Sequence, residues 1–177
     1  MLATAARLIE EEGPGHLTMD AIARGAGVSR QTVYRWWSSP AEVVLEALAE
    51  GAAEAAPLPD TGALETDLRQ LLRQTVAGVN RNAGMLAAVM AEAQRDEDFG
   101  EQFRSRFLAG RREVARQVLE AARARGEIGT GPDLDFLAEL VFALIWYRVL
   151  TRHAPLNRRF ADELTATVLK LAGVRGA

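Results

Sequence analysis

The sequence predicts an all-α protein of about nine helices, with a small three-helix N-terminal domain ahead of a larger C-terminal helical bundle. Three observations carry this. Apolar residues recur at three- and four-residue spacing along most of the chain, and no strand alternation or hairpin signal interrupts them. Helix formers such as Ala, Leu, Glu and Arg abound while Val, Ile and Thr are sparse. Helix caps and Gly/Pro breakers punctuate the periodic runs at regular intervals.

The elements follow in order. Leu2–Glu12 sets Ala5, Leu8 and Ile9 against Glu10–Glu12, and Gly13-Pro14-Gly15 stops it. Thr18 caps a second helix with Asp20 in its first turn. Gly25-Ala26-Gly27 breaks that helix, and Ser29 caps a third running to about Trp37. Ser39-Pro40-Ala41-Glu42 combines an N-cap, a proline at the first helical position and a capping-box acid, so a fourth helix is expected over 39–55. Pro57–Gly62 reads as a linker and divides a domain of residues 1–50, with the start of the connecting helix, from a second of 56–177. Five further helices are expected near Leu64–Arg81, Met85–Gln94, Phe99–Ala124, Leu134–His153 and Arg158–Leu171.

Composition narrows the function. With no cysteine among 177 residues, disulfides, thiolate zinc sites and cysteine nucleophiles are excluded. His16 and His153 are isolated, Asp96-Glu97-Asp98 reads as a helix start, and no phosphate-cradling glycine loop follows a strand. No cofactor, metal or catalytic residue is therefore expected. The chain shows no secretory leader and no apolar run long enough for a bilayer, which predicts a cytoplasmic protein with no membrane partner. The net charge is −3, yet no acid lies between Asp20 and Glu42, a window that carries Arg24, Arg30 and Arg35. One basic face suffices for DNA binding even in an acidic protein.

That window has the physics of a helix-turn-helix. Ala23 is small enough for two helices to cross closely, Gly27 tolerates the positive φ of the turn, and Val28 and Val33 lock the second helix on the first. Ser29, Arg30, Gln31, Thr32 and Arg35 then point outward, and such side chains read base edges or hold phosphates. An arginine-bearing short helix taken alone is as readily a solvated surface, and Tyr34 taken alone could be core. Trp36 and Trp37 read as structural, one of them partly exposed beside the DNA backbone.

Ile22-Ala23, Ala26-Gly27-Val28-Ser29, Thr32-Val33-Tyr34, Trp37 and Glu42 together resemble the signature of the TetR family of bacterial regulators. The match covers Leu2 to about Glu50. The resemblance implies a homodimer in which the first three helices bind operator DNA, the fourth transmits, and a variable bundle binds a small molecule and dimerises. By position, Arg30, Gln31 and Thr32 would face the major groove. Thr18, Tyr34 and the amides near Ser29 would contact phosphates, and Arg35 could reach either. Pro40 stands where the family usually has a phosphate-touching lysine, and the sequence starts almost at the first helix without the basic arm that often precedes it, either naturally or through truncation. Both departures predict fewer phosphate contacts and less salt-sensitive binding.

The helix Leu134–His153 is apolar nearly all round and must bury two faces. A dimer seam is expected along Leu137, Val141, Ile145 and Val149, joined by Phe160, Leu164, Val168 and Leu171 from the last helix. A tightly wrapped monomer is the alternative. For an effector pocket the candidates are Met85, Val89, Met90, Phe103 and Phe107, together with Phe142, Trp146 and Tyr147; Met and aromatic side chains suit an apolar or aromatic ligand, though each also serves as ordinary core. Arg111-Arg112 reads as a solvent-facing pair. The function expected is a ligand-released repressor on near-palindromic double-stranded DNA. The alternatives are an activator or partner-controlled regulator of the same fold, and a helical-bundle enzyme or carrier.

Overall fold

The structure is a computed structural model that describes residues 1–53 and 58–174. The expected end of the fourth helix at Ala55 and the start of the linker at Pro57 lie outside the described residues. Helices α1 (Leu2–Glu12), α2 (Met19–Ala26), α3 (Arg30–Tyr34), α4 (Pro40–Ala53), α5 (Leu64–Arg81), α6 (Ala83–Ala93), α7 (Glu97–Phe103), α8 (Ala109–Ala124), α9 (Leu134–Thr151) and α10 (Arg158–Leu171) follow one another, with no strand among the described residues. The expected helix over Phe99–Ala124 is α7 and α8 joined by a π-helical segment, Arg104–Leu108. Such segments interrupt the regular backbone ladder and recur at functional sites.

Local chemistry sets most boundaries. Asp96 accepts a hydrogen bond from the Phe99 amide at 2.9 Å and starts α7. Asp133 accepts from the amides of Asp135 and Phe136 at 2.9 and 3.1 Å, and Asn157 from Phe160 at 3.0 Å, which start α9 and α10. At α4 the capping box is displaced by one residue. The Ser39 hydroxyl accepts from the Glu42 amide at 3.3 Å, but the Glu42 carboxylate reaches back to the amide and hydroxyl of Ser38, both at 2.7 Å.

Two compact units form, and neither is contiguous in sequence. One combines 1–53 with 82–108, the other 58–81 with 109–174. The chain thus leaves the first unit near the anticipated linker but returns to it for α6, α7 and the π segment, something no linker composition signals. In the first unit α1 packs on α2, α4 and α6, and α4 meets α6 and the π segment. Its core includes Leu8, Ile22, Val33, Val43, Leu45 and Val89.

The second unit packs α5 on α10 and α8, α8 on α9, and α9 on α10. Arg73 of α5 grips Asp162 of α10 with two hydrogen bonds of 2.9 Å, which hold that carboxyl below its ordinary pKa. A buried network closes the start of α5. Asp67 is 1% exposed and accepts 2.7 Å hydrogen bonds from both the amide and the hydroxyl of Thr61. Arg125 stands 3.4 Å from its other oxygen, and Glu127 accepts from the Leu64 amide at 2.7 Å. Asp67→Ala strands these buried donors and should lower unfolding stability by about 2–3 kcal/mol. A urea titration checks this, and an unchanged midpoint would show that the network contributes nothing net.

Helix α9 keeps the two apolar faces expected of it, but their assignment is the reverse of the one read from the sequence. Leu137, Val141, Ile145 and Val149 are buried inside their own protomer, as are Phe160, Leu164 and Val168 of α10. These seven cannot form an exposed seam; they pack α9 and α10 onto α5 and α8. Of that set only Leu171, 52% exposed, reaches solvent. The outward apolar face of α9 is Phe136, Leu144, Tyr147 and Leu150, at 60, 40, 55 and 61% exposure. Hydrophobic residues at nearly every register position leave the inward face undetermined until the neighbouring helices are in place.

Candidate nucleic-acid interface

The local chain dictates the corner between α2 and α3. Thr18 caps α2 through a 3.1 Å bond accepted from the Ala21 amide. Met19, Ala21, Ile22 and Ala23 are all buried. Helix α2 ends in a Schellman arrangement: the Gly27 amide donates to Arg24 and the Val28 amide to Ala23, at 3.3 and 3.0 Å. Gly27 sits at φ +67°, where a side chain is strained. Gly27→Ala should cost about 1 kcal/mol of thermal stability, and an unchanged melting temperature would contradict the assigned turn. Gly25 has a different reason to be glycine. A Cβ there would lie 2.7 Å from the Thr4 methyl of α1, so Gly25 as well as Ala23 permits close helix approach.

Helix α3 is a single short rod pinned by one side. Ser29 caps it, accepting from the Thr32 amide at 3.1 Å and pairing with the Thr32 hydroxyl at 2.9 Å. Val33 is fully buried. Ser29, Arg30, Gln31, Tyr34 and Arg35 are exposed, Thr18 is exposed at the α2 cap, and Thr32 is half-buried. Val33 seated with its neighbours outward is the arrangement that presents a helix to a groove. The rod ends at Tyr34, earlier than the expected Trp37, and a short turned segment carries Arg35 and the exposed Trp36.

The electrostatics of this face were not legible in the sequence. Arg30 pairs through Nε with Asp20 of α2 at 2.5 Å, and its guanidinium lies 5.8 Å from the centre of the Tyr34 ring. The Arg35 guanidinium lies 5.4 Å from the Trp36 ring. Behind the face, Trp37 is buried and donates its indole N–H to Glu46 of α4 at 3.1 Å. Arg106 of the π segment stands 3.7 Å from the same carboxylate oxygen. Asp20, Glu46 and Arg106 escaped sequence reasoning because ten or more residues separate the partners, or nearly so, and no local period marks them.

The expected pocket residues are divided between the two units. Met85, Val89, Met90, Phe103 and Phe107 are part of the first unit, with Val89, Phe103 and Phe107 buried and the two phenylalanine rings stacked at 5.7 Å. Phe142, Trp146 and Tyr147 belong to the second, where Phe142 is buried, Trp146 half-buried and Tyr147 exposed beside His153 at 4.7 Å. The arginine pair also splits. Arg112 is exposed, whereas burial lowers the Arg111 guanidinium below its ordinary pKa. Among the described residues no cluster could hold a metal ion, and no helix is long and apolar enough to cross a membrane.

Comparison with known proteins covers nearly the whole chain. Residues 1–47 match the family model described as bacterial regulatory proteins, tetR family, and residues 58–168 match tetracyclin repressor-like, C-terminal domain. The HTH-type transcriptional regulator Rv1556 of Mycobacterium tuberculosis is 34% identical over 169 residues, 96% of this chain and 84% of that protein. The DNA-binding transcriptional repressor TetR of Mycobacteroides abscessus is 29% identical over 175 residues, 96% of this chain and 90% of that protein. The crystal structure of the TetR family transcription regulator SCO0332 superposes with a TM-score of 0.80 at 28% identity, covering 96% of this chain and 94% of that one.

Proposed function

This chain belongs to the TetR family of DNA-binding transcriptional regulators, and from that premise we propose that it represses transcription as a homodimer on a near-palindromic operator. One observation carries the reading: α3 presents Arg30 and Gln31 to solvent while Val33 anchors it from behind. Arg30, Gln31 and Thr32 read base edges. Thr18, Ser29 and Tyr34 hold phosphates, and Arg35 serves either end. Two such rods enter successive major grooves on one face of the duplex, roughly 34–36 Å apart.

The dimer forms through the outward apolar face of α9, Phe136, Leu144, Tyr147 and Leu150, extended by Leu171 of α10. A monomer seldom leaves so many large apolar side chains in water on one pair of helices. DNA reading belongs to residues 1–50, and sensing and dimerisation to 56–177, with α4 as the connection. Helix α4 suits that task because Glu46 holds the Trp37 indole on one side and meets Arg106 of the π segment on the other. An apolar or aromatic effector that binds more tightly to a state with α4 displaced releases the operator. A regulator acting on the chromosome works in the cytoplasm, without a membrane partner.

Selection of duplexes from a random pool by the full-length protein tests this reading. The expected product is an inverted repeat with half-sites about ten base pairs apart centre to centre. A screen of apolar and aromatic molecules for release of that duplex follows. Failure to enrich any sequence would overturn the repressor reading, and enrichment of single half-sites would overturn the dimer.

A further inference from the structure

The face assigned to DNA contains one acid that its function does not explain. Asp20 sits in the first turn of α2, half exposed, at the edge of a stretch otherwise free of carboxylates as far as Glu42. A negative charge beside phosphates opposes binding. Its contribution to α2 is slight, since Thr18 already caps the helix and an exposed acid in a first turn adds little. An exposed ion pair is also a weak source of stability. Its partner is what singles it out: Arg30, which reads bases under the function proposed above.

We propose that Asp20 positions Arg30 for base reading and is a specificity-determining residue of the operator interface. The contact runs through Nε at 2.5 Å. An arginine recognises guanine with two N–H groups in a fork. Holding the guanidinium by its Nε edge leaves the terminal nitrogens to form that fork. The Tyr34 ring, 5.8 Å from the guanidinium carbon, limits the plane on another side. A long arginine chain has many rotamers, and prior orientation removes part of the ordering cost of recognition. The same carboxylate penalises any complex in which Arg30 swings to a phosphate, because Asp20 would then face DNA unpaired. Asp20 therefore lowers affinity for random DNA while sharpening the choice of sequence.

Asp20→Asn preserves the shape and removes the charge. The probes are the duplex enriched from a random pool by the unaltered protein and a poly(dI-dC) competitor, each titrated across a salt series. Asp20→Asn should bind the competitor several-fold more tightly, with the salt slope steeper by about 0.9 per subunit as Arg30 turns to a phosphate. Its ratio of specific to non-specific affinity should fall about tenfold, at the lower end of what one oriented arginine contributes. A ratio that stays level or rises overturns the proposal, since Asp20 would then serve only the helix or compete for Arg30. Arg30→Ala, measured alongside, separates the two levels of the argument. If Arg30→Ala lowers the ratio and Asp20→Asn does not, only the positioning role fails. If Arg30→Ala leaves the ratio intact, the assignment of Arg30 as a reader fails first.

Discussion

Arg30→Ala is expected to weaken binding to the selected operator about 100-fold while leaving helical content and dimerisation unchanged. A well-made bidentate arginine–base contact contributes about 1–3 kcal/mol of discrimination, and a two-fold assembly uses it twice. Nothing in the fold depends on the side chain. It is exposed, and its partners are the exposed Asp20 and Tyr34. A substitution that left the folded dimer intact and operator affinity unaltered would remove α3 from the interface. Arg35→Ala provides the contrast. Arg35 lies beyond the end of α3 against Trp36, and of the two roles proposed for it above, holding a phosphate is the one this variant tests. Its loss should weaken specific and non-specific DNA alike and reduce the salt slope by about one.

A second large effect separates the two faces of α9. Ile145 is fully buried, and Ile145→Asp places an unpaired carboxylate in a close-packed interior. The expected cost is about 4–5 kcal/mol, a large share of a small protein's stability, so the variant should unfold or fail to accumulate. Leu150, 61% exposed on the same helix, should behave differently. Leu150→Asp costs the isolated protomer little, but it places like charges across the proposed two-fold seam. Light scattering should then show a folded monomer, with a helical circular-dichroism spectrum and much reduced operator affinity. If Leu150→Asp remained a dimer, the seam would lie elsewhere. If Ile145→Asp folded normally, the inward register of α9 would be wrong.

Much of this protein was legible from short-range signals. The caps at Thr18, Ser29, Asp133 and Asn157, the breaks at Gly13 and Gly27, and the three- and four-residue apolar spacing depend on residues only a few positions apart. Such interactions act before any long-range packing exists, so the sequence by itself determined the all-α class, most of the helix starts and the helix-turn-helix corner. It also determined that α9 must cover two apolar faces.

What the tertiary structure alone decided are matters of pairing between distant segments. Which side of α9 turns inward depended on α8 and α10, because hydrophobic attraction is non-directional and that helix was apolar nearly all round. The return of α6, α7 and the π segment to the first unit had no local cause. The ion pair between Asp20 and Arg30, and the convergence of Trp37 and Arg106 on Glu46, arise from polar groups brought together by the packing of separate segments. Sequence periodicity specifies which residues share a helix face, and only folding sets which face meets which partner.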